Sequence, residues 1–125
     1  MKTTDQIAVI GAVLAGLTVS RALSDAGHDG VGFDKGRGRG GRMASRRRDG
    51  WRFDHGAIAL RPTDHAFAEF IAQIEAGGFA AHWPDAGGWI GLPGMSGSVN
   101  SMAQSLTVHN EAEVTGMDRS GATWT

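Results

Sequence analysis

The feature that most constrains this chain is the stretch Ile7-Ala8-Val9-Ile10-Gly11-Ala12-Val13-Leu14-Ala15-Gly16. A short apolar run is followed by two glycines five apart and then by a segment with helical apolar spacing. That order is strand, tight turn, helix. Such a turn aims unpaired helix N–H groups and the positive end of the helix dipole at one point, which suits a phosphate. The dinucleotide fingerprint is G-x-G-x-x-G in this context. Gly11 and Gly16 hold its first and third positions, and Val13 stands at the middle one. Spacing alone is a weak signal in a chain with 20 glycines. Asp34 strengthens it, because it ends the next apolar run at the expected distance of about 20 residues.

The rest of the first unit follows from periodicity. Residues 6–11 read as a buried parallel strand. Leu14, Leu17, Val19, Ala22, Leu23 and Ala26 mark a helix over about 14–27, with Gly27 as its left-handed cap. Residues 29–34 read as a second strand despite their two glycines. Together they make a right-handed βαβ unit with parallel strands. The fold class expected is α/β, a Rossmann-type core with a C-terminal antiparallel hairpin.

With 125 residues, the chain holds at most one domain. A net charge of -1 gives no global attraction to nucleic acid or membrane, and neither partner is expected. The absence of cysteine excludes disulfides and thiolate metal sites. No apolar run approaches the roughly 18 residues of a membrane span. Residues 1–6 lead into the first strand without a signal-peptide plan, so a cytoplasmic location is expected.

Eight of the twelve basic residues fall between Lys35 and Arg52: Lys35, Arg37, Arg39, Arg42, Arg46, Arg47, Arg48 and Arg52. Gly36, Gly38, Gly40, Gly41 and Gly50 are interleaved with them. Three readings stand: a solvated basic loop, a nucleic-acid patch, or a second phosphate-contacting loop beside the first. The nucleic-acid reading lacks interleaved aromatics apart from Trp51. In the third, glycines let backbone N–H groups reach a ligand, and arginine offers phosphate oxygens paired donors.

The motifs I-A-V-I-G-x-x-L-A-G-L, V-G-F-D-K-G-R-G-R-G-G-R-M-A-S-R-R and F-D-H-G-A resemble the N-terminus of FAD-dependent oxidoreductases of the flavin amine oxidase superfamily. The likeness is greatest to the bacterial renalase-like branch and extends through Trp89–Ser96. It implies FAD as cofactor, with NAD(P) as an electron donor or substrate. It implies Asp34 at the adenosine ribose hydroxyls, with Lys35 beside it. Gly11, Val13, Leu14, Ala15 and Gly16 would form the phosphate turn. Gly40, Gly41 and Arg42 would lie along the diphosphate and ribityl part, and Gly56 would come near the flavin ring. The resemblance assigns no catalytic residue and no metal, and it leaves the small-molecule substrate open.

Three departures from the family pattern stand out. Val13 replaces the glycine that lets backbone approach the pyrophosphate. Ile58-Ala59-Leu60 stands where the family has polar and aromatic residues. Family members are also longer, which implies that residues 1–125 are the N-terminal part of an FAD-binding domain. The substrate domain and the C-terminal FAD-contacting segment would then be absent. Such a chain is expected to be inactive alone, and to self-associate through uncovered apolar helix faces. Two functions follow from this: a flavoprotein oxidoreductase part, or a non-catalytic nucleotide-binding remnant.

Further along, Thr63 or Asp64 caps a helix whose Phe67, Phe70, Ile71 and Ile74 share one apolar face. That face is expected to be core. A second helix runs from Ser96 or Ser98, with Ser96 as its cap, to Leu106. Residues 113–118 and 122–125 are expected to pair as the hairpin, against the main sheet. The five histidines show no metal spacing, and only His55, by resemblance, comes near a flavin.

Overall fold

A computed structural model describes residues 6–125. Strand β1 (Gln6–Ile10) and strand β2 (Asp29–Phe33) are adjacent and parallel, with Gln6 opposite Asp29 and Ile10 opposite Phe33. Helix α1 (Leu14–Asp25) joins them, as the periodicity predicts. It ends through the N–H groups of Ala26, Gly27 and His28, which bond back to Ala22, Ser24 and Leu23. Gly27 takes the positive φ of +82° that a left-handed helix end requires.

Strand β1 is not the buried strand that its apolar run suggested. It is an edge strand, and Ala8 and Ile10 point to solvent on one face while Ile7 and Val9 are half-buried on the other. A parallel strand is enclosed only where helices cover both faces of the sheet.

The sheet gains a third member that the sequence pattern hid. After β2 the chain makes a 3-10 turn at Gly41–Met43 and a hairpin of β3 (Ser45–Arg48) and β4 (Trp51–Asp54). Helix α2 (His65–Ala76) comes next, then a second hairpin of β5 (Ala80–Trp83) and β6 (Gly88–Gly91), then helix α3 (Met95–Met102). Only then does β7 (Thr107–His109) return to lie parallel to β2, with Val31 opposite Thr107 and Phe33 opposite His109. The strand order is β1-β2-β7.

The basic segment therefore divides in two. Residues 35–43 are a glycine loop beside β2, and residues 45–54 are a hairpin. Its two-residue turn, Asp49-Gly50, has φ of +52° and +80°, the left-handed pair that matches strand twist in tight hairpins.

The core lies between the helices. Leu17 of α1, Ile71 and Ile74 of α2, Met95, Val99 and Ala103 at α3, and Leu60 and Ala80 form one buried cluster. Burying each large side chain contributes about 1.5–3 kcal/mol. Phe67 and Phe70 pack against this cluster, so the apolar stripe of α2 is core as expected. The uncovered helix faces expected from the sequence are thus filled for α2 and α3. Large apolar side chains are exposed instead on the β3–β4 hairpin, where Trp51 is 71% and Phe53 54% accessible.

Helix α2 starts on Asp64, whose carboxylate accepts the Phe67 N–H at 2.9 Å. Helix α3 begins earlier than expected, at Met95, and Ser96 is inside it rather than its cap. Its first N–H, from Met95, donates to Asp54 Oδ1 at 2.9 Å, and the Ser96 N–H to Ser45 Oγ at 3.2 Å. The strand end of the β3–β4 hairpin thus caps this helix from a distance. The helix also stops short of Leu106. Ser105 turns the backbone to φ +63°, and Arg21 of α1 donates to the freed carbonyls of Met102 and Gln104, both at 2.8 Å.

A C-terminal hairpin is present but shifted. Strand β8 (Arg119–Ser120) pairs with β9 (Thr123–Trp124), and Asp118 and Thr125 extend the pairing by exchanging backbone hydrogen bonds at 2.8 and 2.9 Å, so only residues 113–117 are outside it. The hairpin is a separate two-stranded sheet with exposed strands and does not join the main sheet. Among the described residues, no helix is long and apolar enough to cross a membrane.

Candidate functional site

The site is built where β1 ends. Gly11 takes φ +98°, and its N–H donates to Phe33 O at 2.7 Å, which carries the pairing of β1 with β2 into the turn. Gly16, in the first turn of α1, lies directly under the Gly11 carbonyl, where a β-carbon would collide with it. This contact fixes the angle at which the helix leaves the strand. Leu14 is half-buried against the core, and Ala15 is exposed.

Asp34 follows β2 and ties three segments together. Its Oδ2 accepts the Ala12 N–H at 2.7 Å, and its Oδ1 accepts the Gly36 N–H at 2.7 Å. Its own N–H donates to His109 O at 2.9 Å, and its carbonyl accepts the Ala112 N–H at 2.9 Å. The carboxylate thus fastens the Gly11–Val13 turn to the start of the glycine loop. The segment after β7 is drawn over the same point, with Glu111 N–H on Gly36 O at 3.0 Å and the His109 ring stacked on Phe33 at 5.5 Å. An ionised carboxylate has about four acceptor positions. Two are filled, so Asp34 keeps capacity for hydroxyl donors.

The glycine loop closes on the turn. Gly40 N–H donates to Ala12 O at 3.3 Å, and Gly41 has φ +50°. Arg42 is exposed in the 3-10 turn, and its carbonyl accepts the Ala57 N–H at 2.8 Å, which brings Gly56 beside it. Gly11, Val13, Gly16, Asp34, Gly40, Gly41, Arg42 and Gly56 are therefore joined by one run of neighbouring contacts. Lys35 and His55 are exposed side chains at its margin.

Three residues have contacts that the sequence reading does not assign to them individually. Gly36 pairs with Asp34 in an Asp-x-Gly turn, a local signal that was there to read. Asp54 of the D-H-G motif is engaged at the start of α3, a long-range role that spacing does not reveal. Arg39 has its Nε buried without a hydrogen-bond partner among the described residues. A buried guanidinium N–H without an acceptor costs free energy until an acceptor arrives.

The donor set suits part of a dinucleotide. Asp34 at the carboxyl end of β2 fits ribose hydroxyls. The diphosphate stretch is less open. Val13 occupies the position where the fingerprint needs bare backbone, and its Cγ1 packs onto Gly41.

A parallel β-α-β unit, a glycine turn under the helix start and an acidic residue closing the second strand define a dinucleotide-binding α/β domain. Residues 9–74, a little more than half of the chain, match the family described as NAD(P)-binding Rossmann-like domain. The chain belongs to that family. It is also 33% identical over 75 residues to an L-amino-acid oxidase from Siganus canaliculatus. The aligned stretch is 58% of this chain and 14% of that protein, so the chain corresponds to a small part of its relative.

Proposed function

We propose that this chain is the adenosine-binding part of an FAD-dependent oxidoreductase of the amine oxidase type, in the renalase-like branch. Residues 1–125 are read as the N-terminal part of its FAD-binding domain. Asp34 accepts the adenosine ribose hydroxyls, Gly11 and Gly16 shape the turn that receives the nucleotide, and Gly40, Gly41 and Arg42 flank it. FAD supplies the redox chemistry when bound. This chain's residues bind and orient its nucleotide end.

The observation that carries the reading is Asp34. Its carboxylate stands at the end of β2, bonded to the turn N–H of Ala12 and still holding free acceptor positions. The amino-acid oxidase similarity favours a flavin nucleotide over a nicotinamide one.

A carboxylate accepts hydroxyls but repels a 2′-phosphate. Calorimetric titration with adenosine and with its 2′-phosphate tests the assignment. Asp34→Ala and Asp34→Asn are expected to weaken adenosine binding by about tenfold, in line with one or two lost hydrogen bonds. Binding of the 2′-phosphate should fall far less. Equal losses for the two ligands, or no adenosine binding by the unmodified chain, would overturn the reading.

A further inference from the structure

The two glycine-rich turns of this site face each other, and a side chain stands between them. Val13 is the N-cap residue of α1, with extended backbone at φ -105°, ψ -178° and no side-chain capping bond. Cγ2 comes within 3.8 Å of the place where a Gly11 β-carbon would be, and Cγ1 packs on Gly41 where its β-carbon would stand. The loop is held in place, because Gly40 N–H is bonded to Ala12 O at 3.3 Å and Ala57 N–H to Arg42 O at 2.8 Å. Asp34 holds the other end of the same loop through Gly36. Valine is also stiff at χ1, with a branched Cβ that has few ways to turn aside.

A bridging diphosphate in a Rossmann turn passes over the middle glycine, close enough to use its backbone. Here that path is filled by two methyl groups clasped between Gly11 and Gly41. The ribose end, at Asp34, lies to one side of the obstruction.

We infer that Val13 makes this a nucleoside-selective site: it takes an adenosine group and gains nothing from a bridging diphosphate. The inference rests on the proposed adenosine assignment of Asp34 and adds a selectivity that the family fold does not require. Adenosine, ADP and FAD then bind the chain with similar affinity, since the diphosphate adds no contact. The residue opposite sharpens the point. Gly41 leaves room for either a phosphate or a neighbouring side chain, and in this chain the side chain has taken it.

The test is isothermal titration of the purified chain and its Val13→Gly and Val13→Ala variants with adenosine, ADP and FAD. Glycine is acceptable at an N-cap, so the helix start should survive. The melting temperature of each variant checks folding, and the alanine variant serves if the glycine one is unfolded. The unmodified chain is expected to bind all three ligands within about threefold of one another. Val13→Gly should tighten ADP and FAD by about tenfold or more, the equivalent of at least one restored charge-assisted contact, and leave adenosine unchanged. Val13→Ala should gain less, in the same order. Two results would overturn the inference while leaving the adenosine assignment intact. One is ADP binding at least tenfold tighter than adenosine in the unmodified chain. The other is adenosine binding with no change in the ADP-to-adenosine ratio in either variant. Failure of adenosine to bind any of the proteins would overturn both.

Discussion

Replacing Asp34 by alanine should cost stability even with no ligand present. The carboxylate accepts two backbone N–H groups at 2.7 Å, from Ala12 and Gly36. Ala12 is only 2% accessible, so its N–H has no ready substitute partner in water. Hydrogen bonds to charged groups contribute about 1.5–3 kcal/mol each, and an orphaned buried donor costs about 1–3 kcal/mol. Gly36 is half-buried and can recover part of its loss from solvent. The expected cost is therefore about 2–4 kcal/mol. A domain of this size has a total stability of about 6–19 kcal/mol, so the change is large. Thermal unfolding should drop by roughly 10 °C, and the urea midpoint should fall without a change in slope. Asp34→Asn keeps one acceptor oxygen but turns an amide donor toward the other N–H, so it should recover less than half of the loss. Amide hydrogen exchange adds a local readout, since protection of Ala12 and Gly36 should fall first. Stability of Asp34→Ala within about 0.5 kcal/mol of the unmodified chain would refute the reasoning.

Two other substitutions test the frame around the site. Asp54→Ala removes the acceptor for the Met95 N–H and for the Ser45 hydroxyl, and should cost about 1–2 kcal/mol by the usual scale of a lost helix cap; an unchanged melting temperature would count against that role. The double change Trp51→Ser and Phe53→Ser removes exposed apolar area on β4, and should reduce self-association in sedimentation velocity while leaving the melting temperature within a few degrees.

Much of the frame could be read from the residues because its signals are local. The first β-α-β unit follows from an apolar run, helical spacing and a glycine at each end, and α2 from Asp64 before a clear apolar stripe. What escaped is set by distant partners. Thr107–His109 is too short to show a period of its own, and only the waiting edge of β2 makes it a strand. The β3–β4 hairpin was masked by its arginines, although Asp49-Gly50 marks the turn. Val13 could be read as a departure from the fingerprint, but its neighbour Gly41 is supplied by a loop that the sequence alone does not fold back. Spacing places Asp34 in the fingerprint and the family resemblance implies its ligand role; its two backbone bonds add a structural duty that neither reveals.

The strand order has a consequence for the path by which the molecule assembles. Strands β1 and β2 are separated by one short helix, while β7 joins β2 only after two hairpins and two helices have intervened. Closing that long crossover carries an entropy cost that grows with loop length, and pairings distant in sequence are slow to form. The unit from Gln6 to Phe33 can therefore organise early, with the hairpins and α2 forming independently. Docking of β7 is therefore expected to come late. His109, Glu111 and Ala112, which close over Asp34 and Gly36, arrive with that last strand. The Asp34 end of the candidate site is thus expected to be completed last, and any slowing of β7 docking should delay it while leaving the early unit intact.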